Sequence, residues 1–140
     1  MAYWLVKSEP NVWSWDQQVA KGEAGELWTG VRNHSAKLNL MKMKKGDRAF
    51  FYHSNIGKEI VGVCEIVREH HPDPTAELGS PWVVVDLAAR WPLPRPVTLE
   101  AVKAEPRLRD MALLKYSRLS VQPVTADEWA LVCGMGGAKP

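Results

Sequence analysis

The sequence predicts an α+β fold: a small, mostly antiparallel barrel with short helices plugging its ends. Three observations carry this. Runs rich in Val, Ile and aromatic residues follow one another through the middle of the chain, at Arg48–Ser54, Glu59–Glu69 and Trp82–Ala88. Helical signals flank these runs on both sides. The strict alternation of strand and helix that marks a doubly wound parallel sheet is missing. At 140 residues the chain has the length of one domain, and a single domain is expected over residues 1–140.

Taken in order, Ala2–Val6 reads as a short buried strand. Ser14-Trp15-Asp16-Gln17 is a capping box, and the helix it starts runs to Gly22. A second helix covers Asn33–Lys44, with Ala36, Leu40 and Met43 recurring on one face, and Gly46-Asp47 ends it. Ser54-Asn55-Ile56-Gly57-Lys58 carries hairpin turn chemistry between the first two central strands. The stretch Trp91-Pro92-Leu93-Pro94-Arg95-Pro96 reads as a rigid surface connection within the domain. Thr98–Ala104 is a short helix stopped ahead of Pro106. Ser120–Val124 is a last strand. Thr125-Ala126-Asp127-Glu128 is a full capping box with a Val124–Trp129 staple, and Gly134 closes its helix.

Composition narrows the function classes. Lys and Arg total 18 against 16 acids, a net charge of +2, which argues against a histone-like tail or a strongly cationic membrane binder. No apolar run reaches the roughly 18–20 residues that span a bilayer. The first residues lack the basic start of a signal peptide. Two cysteines, Cys64 and Cys133, make no disulfide framework, so a reduced cytoplasmic location is expected. There is no Gly-rich phosphate loop, GxSxG, HExxH or CxxC. His70-His71 is joined by no ligand set of known spacing, so no metal and no cofactor are expected. Seven tryptophans in 140 residues favour side chains with an apolar body and a polar handle.

Charge is uneven along the chain. Arg32–Arg48 holds six basic residues and one acid, and Lys103–Arg118 holds five basic residues and two acids. Glu65–Asp86 reverses the sign. Basic segments on a near-neutral protein fit either a polyanion track or solvated faces. Polar and aromatic residues cluster at strand ends and helix starts: Lys7-Ser8-Glu9-Pro10, Trp28 to Asn33, Tyr52-His53-Ser54, and Arg118 to Pro123. Such positions project into a shared mouth. Trp28 and Tyr52 offer stacking faces, and Ser8, Glu9, Asn33, His53 and Ser54 offer donors and acceptors, an inventory that suits a planar heterocycle. The competing reading gives each residue a local task, with Trp28 in the core and Asn33 as a helix cap.

YWLVKSEP at Tyr3–Pro10, WSWD at Trp13–Asp16, WTGVRNHSAKLNLMKMKKGD at Trp28–Asp47 and FYHSN at Phe51–Asn55 resemble the EVE domain family. So do GKEIVG at Gly57–Gly62, DPTA at Asp73–Ala76, PVTL at Pro96–Leu99 and RLSVQPVT at Arg118–Thr125, so that the resemblance covers the whole chain. It implies a PUA-like pseudobarrel of five or six strands, related to YTH readers of methylated adenine. It also implies binding of nucleic acid that carries a modified base, especially modified cytosine in DNA, by base flipping. The pocket residues it implies are Lys7, Ser8, Glu9, Trp28, Val31, Arg32, Asn33, Tyr52, His53, Ser54, Arg118 and Ser120. Lys37, Lys44, Lys45, Arg107 and Arg109 are the expected phosphate contacts. His34 and Ser35 stand where many relatives carry an aromatic and a polar residue. A binding module that is no enzyme is expected, monomeric by default. The alternatives are an enzyme acting on a nucleobase or nucleotide, with Glu9 or His53 as the acid–base group, and an interaction domain whose mouth holds a small molecule or peptide.

Overall fold

The computed structural model describes residues 1–140. Six strands form one sheet: β1 (Tyr3–Ser8), β2 (Glu26–Leu27), β3 (Arg48–His53), β4 (Glu59–Pro72), β5 (Val83–Thr98) and β6 (Val121–Val124), in the order β2-β5-β4-β3-β1-β6. Five helices surround it: α1 (Trp15–Ala20), α2 (His34–Lys42), α3 (Leu99–Ala104), α4 (Ala112–Lys115) and α5 (Ala126–Gly136). Every pairing is antiparallel except β1 with β3. The α+β class and the mostly antiparallel sheet are those the sequence predicts. The sheet is not closed by hydrogen bonds: β2 and β6 are its two edges. Register shifts along β4 and β5 bend these long strands.

Side chains alternate between two cores. On one face Trp4, Val6, Ala49, Phe51, Cys64, Ile66, Val85 and Leu87 pack with Trp15, Trp28, Val31 and the α2 residues Ala36 and Leu40. On the other, Leu5, Phe50, Tyr52, Ile60, Val63, Leu93 and Val97 pack with Val102, Leu113, Trp129 and Val132 of α3, α4 and α5. Burial on both faces is why the central strands read as nearly continuous apolar runs. Trp129 stacks on Phe50 at 3.8 Å between ring centroids and on Tyr3 at 4.6 Å. Asp47, buried in the turn before β3, accepts from the Trp4 indole Nε1 at 3.1 Å and from the Ala2 and Lys44 backbone N–H groups. This carboxylate fastens the start of β1 to the start of β3.

The local signals are realised closely. Both capping boxes are present, Ser14 with Gln17 and Thr125 with Glu128. Two expectations need correction. The Pro-rich stretch is strand, not connection: it forms the second half of β5. Because β2 covers β5 only at Asp86 and Leu87, the outer edge of β5 from Trp91 onward has no partner strand, and the missing N–H groups of Pro92, Pro94 and Pro96 leave no ladder bond broken there. The last helix continues through Gly134 to Gly136, and the left-handed Gly137 (φ 77°) terminates it, with the Ala138 N–H bonded back to the Cys133 carbonyl. The first helix ends as the sequence predicts: Lys21 is its C-cap, and Gly22 (φ 65°) follows as the left-handed C′ residue and opens a 3-10 turn at Gly22–Ala24.

Gly62 on β4 lies under the Trp15 ring, and a Cβ added there would fall inside the indole. Gly62→Ala is therefore expected to destabilise the fold by about 1–3 kcal/mol through overpacking. Urea denaturation followed by tryptophan fluorescence checks this, and an unchanged midpoint would show that Trp15 has room to move.

Candidate functional site

Because β1 and β3 run parallel, their carboxyl ends lie side by side. Lys7 pairs in register with Tyr52, and Ser8 with His53. The chain leaving β1 turns tightly, with the Val12 and Trp13 N–H groups both donating to the Glu9 carbonyl at 2.9 Å. The Ser8 hydroxyl closes that turn by donating to the Trp13 carbonyl at 2.6 Å. The segment after β2 is fixed alongside by the Trp28 N–H, which donates to the Val85 carbonyl. Between them lies a cleft of about 420 Å³, lined by Lys7, Ser8, Glu9, Val12, Trp13, Glu26, Leu27, Trp28 and Thr29. Its size falls within the ~300–1,000 Å³ range of small-ligand sites.

Of the expected pocket residues, Lys7, Ser8, Glu9 and Trp28 line this cleft. The Lys7 ammonium donates to the Ser117 carbonyl at 2.8 Å, and burial pushes its pKa below the usual lysine value. Glu9 accepts from the Asn55 amide through Oε1, and its other oxygen has no partner in the protein. Trp28 lines the cleft but is largely core: the residue is 8% exposed and its ring packs perpendicular to Phe51 at 5.6 Å. The sequence missed Trp13, Glu26, Val12, Leu27 and Thr29. Trp13 is the more accessible aromatic wall, with its Nε1 donating to Gln18 at 2.9 Å. Its place in the WSWD motif was the available signal.

His53 and Ser54 stand directly behind the cleft. The Ser54 N–H donates to the Ser8 carbonyl, and His53 Nε2 accepts the Trp15 N–H at 3.1 Å, holding the first turn of α1. Arg118 and Ser120 lie beside Lys7, whose N–H donates to the Ser120 carbonyl. Tyr52 points the other way. It belongs to the core on the opposite face from Trp28, so the pair of stacking faces expected from the sequence is not formed. Alternation along a strand puts neighbours on opposite sides, and burial raises the Tyr52 pKa.

Val31 is core, and Asn33 is the N-cap of α2, its Oδ1 accepting from the Ala36 N–H at 2.9 Å. Arg32 donates to the buried Asp73 carboxylate at 2.9 Å and to Thr75, and the Gly30 N–H donates to the same carboxylate. Burial alone would raise the Asp73 pKa. Hydrogen bonds from the Thr75 side chain, Arg32, Gly30 and the Thr75 N–H overcome it and hold the value down to about 2. This clasp locks the segment after Trp28 onto the β4–β5 loop.

The expected phosphate contacts separate into two regions. Lys44 and Lys45 precede β3, at the end of the sheet away from the cleft, and Lys37 is on α2. Six residues of β3 at roughly 3.3 Å each put about 20 Å between those lysines and the cleft. Arg107 is paired to Glu105 at 2.7 Å. Arg109 makes no ion pair and lies with Lys103 and Ser117 around a shallow depression. Besides Lys7, the basic side chain at the cleft itself is Lys21, paired with Glu26 at 3.3 Å and lying over the Trp13 ring at 5.9 Å, while Ser117, which holds Lys7, adjoins the depression that carries Lys103 and Arg109. No three His, Cys, Asp or Glu side chains come together as a metal site.

A family model described as EVE domain matches residues 2–135. Among solved structures, Rpa0253 from Rhodopseudomonas palustris is 74% identical, with a TM-score of 0.93 over 98% of this chain and 94% of that one. The human THYN1 protein, solved in complex with DNA containing 5-methylcytosine, is 30% identical, with a TM-score of 0.90 over 100% of both chains. The YTH domain of the Zygosaccharomyces rouxii MRB1 protein is 16% identical, with a TM-score of 0.59 over 99% of this chain and 88% of that one, a likeness of fold.

The His53 contact makes one wall of the cleft sensitive to pH. Nε2 can accept the Trp15 N–H only when unprotonated. Burial lowers the His53 pKa below its ordinary 6.5, against the opposing influence of Glu59 and Asp16. The unfolded chain therefore binds this proton more readily than the folded one. The stability tied to neutral His53 is complete above pH 6.5 and is lost as pH falls through the folded pKa. Amide exchange at Trp15 is expected to accelerate on going from pH 7 to about pH 5, after correction for intrinsic rates, and His53→Gln is expected to flatten that response. An equal response in both proteins would remove His53 from this role.

Proposed function

The chain belongs to the EVE domain family, and from that premise we propose that it is a binding module that reads a modified base in nucleic acid, modified cytosine in DNA first. The base leaves its strand and enters the cleft at the carboxyl ends of β1 and β3. The observation that carries this is the combination lining that cleft: Trp13, Trp28 and an unengaged carboxylate oxygen of Glu9. A carboxylate accepts from the exocyclic amine of cytosine, and an indole face supports a flipped base. The human relative with a TM-score of 0.90 was solved with 5-methylcytosine-containing DNA, which supports cytosine and DNA for this chain.

Stacking on one aromatic wall is worth about 1–3 kcal/mol, of the same order as the few kcal/mol that unstacking a base costs. The two nearly cancel. Affinity then comes from phosphate contacts at Lys103, Arg109 and Arg118, and discrimination from Glu9 and the fit around the modification. Catalysis has little to work with here. His53 Nε2 is occupied by a backbone N–H, and burial raises the Cys133 pKa to about 11 and lifts Cys64 further.

Titration of single- and double-stranded oligonucleotides with cytosine, 5-methylcytosine or N6-methyladenine tests this. A preference for one modified base, with oligonucleotide mass unchanged after incubation, is expected. Equal affinity for every base overturns the proposal, and a mass change would favour an enzyme.

The two tryptophans are expected to divide their effects. Trp13→Ala should weaken binding by about 1–3 kcal/mol with little change in melting temperature. Trp28→Ala should lower folding stability by about 3–5 kcal/mol, because the residue is largely core. Paired thermal melts and binding titrations check both, and the reverse pattern would make Trp28 the principal stacking wall. Charge-neutralising Arg109 and Arg118 together should reduce the slope of log K against log salt by about two units, and Lys44 with Lys45 by less.

A further inference from the structure

Two neighbouring turns, one lining the cleft and one clasped to it, carry exposed apolar side chains for which base binding alone gives no reason. Val12 and Ile56 are 67% and 58% exposed. Val12 lines the cleft on the turn that follows β1. Ile56 sits at the tip of the β3–β4 turn, where three of the four residues from Asn55 to Lys58 have positive φ: 63° at Asn55, 87° at Gly57 and 51° at Lys58. The two turns are clasped to each other through the Asn55 amide and the Glu9 carboxylate.

We propose that Val12 and Ile56 form a wedge that enters the base stack of double-stranded DNA and fills the gap left by the base taken into the cleft. This rests on the modified-base proposal above and extends it: duplex DNA is the form of substrate for which the two turns are built.

Both turns are stiff. The Val12 and Trp13 N–H groups converge on the Glu9 carbonyl, and the Ser8 hydroxyl holds the Trp13 carbonyl. The Ile56 N–H donates to the Ser54 carbonyl at 2.7 Å, and the Lys58 carbonyl accepts from the Leu99 N–H at 2.9 Å. A β-branched side chain has few rotamers to lose, so inserting one from a fixed turn gives up little freedom. Apolar wedges of this kind fill unstacked base steps. Lys58 follows Ile56 and makes no ion pair, which leaves it available to the phosphates on either side of the opened step. A single strand has no opposite base and no duplex stack to hold open, so it gains nothing from the wedge.

The test uses a labelled oligonucleotide with one 5-methylcytosine, as a single strand and annealed to its complement. Ile56→Ser is expected to weaken duplex binding about three- to tenfold while single-strand binding stays within about twofold, and adding Val12→Ser is expected to weaken duplex binding further. A 2-aminopurine placed beside the 5-methylcytosine should brighten when the wild-type protein binds the duplex and stay dim with the double variant. Ile56→Leu should restore most of the duplex affinity. Equal losses on the two forms, or no loss on the duplex, overturn the wedge while leaving base reading intact. A wild-type protein that prefers 5-methylcytosine in neither form overturns both. Both substituted residues are exposed, and a wild-type melting temperature for the double variant is expected to confirm that the fold is kept.

Discussion

The parallel pairing of β1 with β3 is the constraint on which the rest of the molecule depends. It is the one parallel pair in an otherwise antiparallel sheet. An antiparallel pair sends its two exits to opposite ends, whereas a parallel pair sends both to the same end. The segments after Ser8 and His53 therefore meet, and their polar residues gather there without help from the core. At the other end Asp47 gathers the Ala2 N–H, the Trp4 indole and the Lys44 N–H. That carboxylate fixes where both strands begin, and so the register that sets Ser8 beside His53.

The two cores divide the work. The face with α3, α4 and α5 is built around Trp129 on Phe50, and Tyr52 belongs there. The face with α1 and α2 ends at Trp28, where packing gives way to the cleft. Trp28 is therefore both the last stone of a core and part of a wall. The loop that follows it is held by an ion pair between the exposed Arg32 and the buried Asp73 carboxylate, with Gly30 and Thr75 completing the carboxylate's partners. Removing one member of such a set leaves the others with unpaired polar groups, which is more costly than never having had it. Arg32 thereby holds the segment that carries the Trp28 wall of the cleft.

Features whose cause lies within a few residues were legible in the sequence. The capping boxes at Ser14 and Thr125 need only their own helix turn, and both form. The class of the fold was legible because two-faced burial imprints apolar runs on the strands. Features with distant causes were not. Whether Arg32 meets a ligand or a carboxylate depends on Asp73, 41 residues away. Whether Pro92, Pro94 and Pro96 break a strand depends on whether another strand lies alongside, which β2 decides by being two residues long. Tyr52 and His53 sit in one motif yet face opposite cores, since a strand turns consecutive side chains apart. The grouping of Lys7, Ser8, Glu9 and Trp28 was found from strand ends, while Trp13 was passed over because it comes from a turn.

The pairing of β1 with β6 joins Tyr3 to Val124 and Val6 to Val121, and this has a consequence for how the chain acquires its structure. The first strand of this domain is the second from the edge of the sheet, and its outer neighbour is the domain's last strand. During synthesis β1 can pair with β3 first, but its outer edge stays open until residue 124 has left the ribosome, and no shorter nascent chain can complete the sheet. Contacts so far apart in sequence also slow the search for the native state, because loop closure must precede their reward. The helix started by Thr125 follows at once, and Trp129 then covers Phe50 and Tyr3. Completion of the last strand and completion of the core are in this way one late event, so a chain cut short before it holds an open apolar edge, which marks it for quality control.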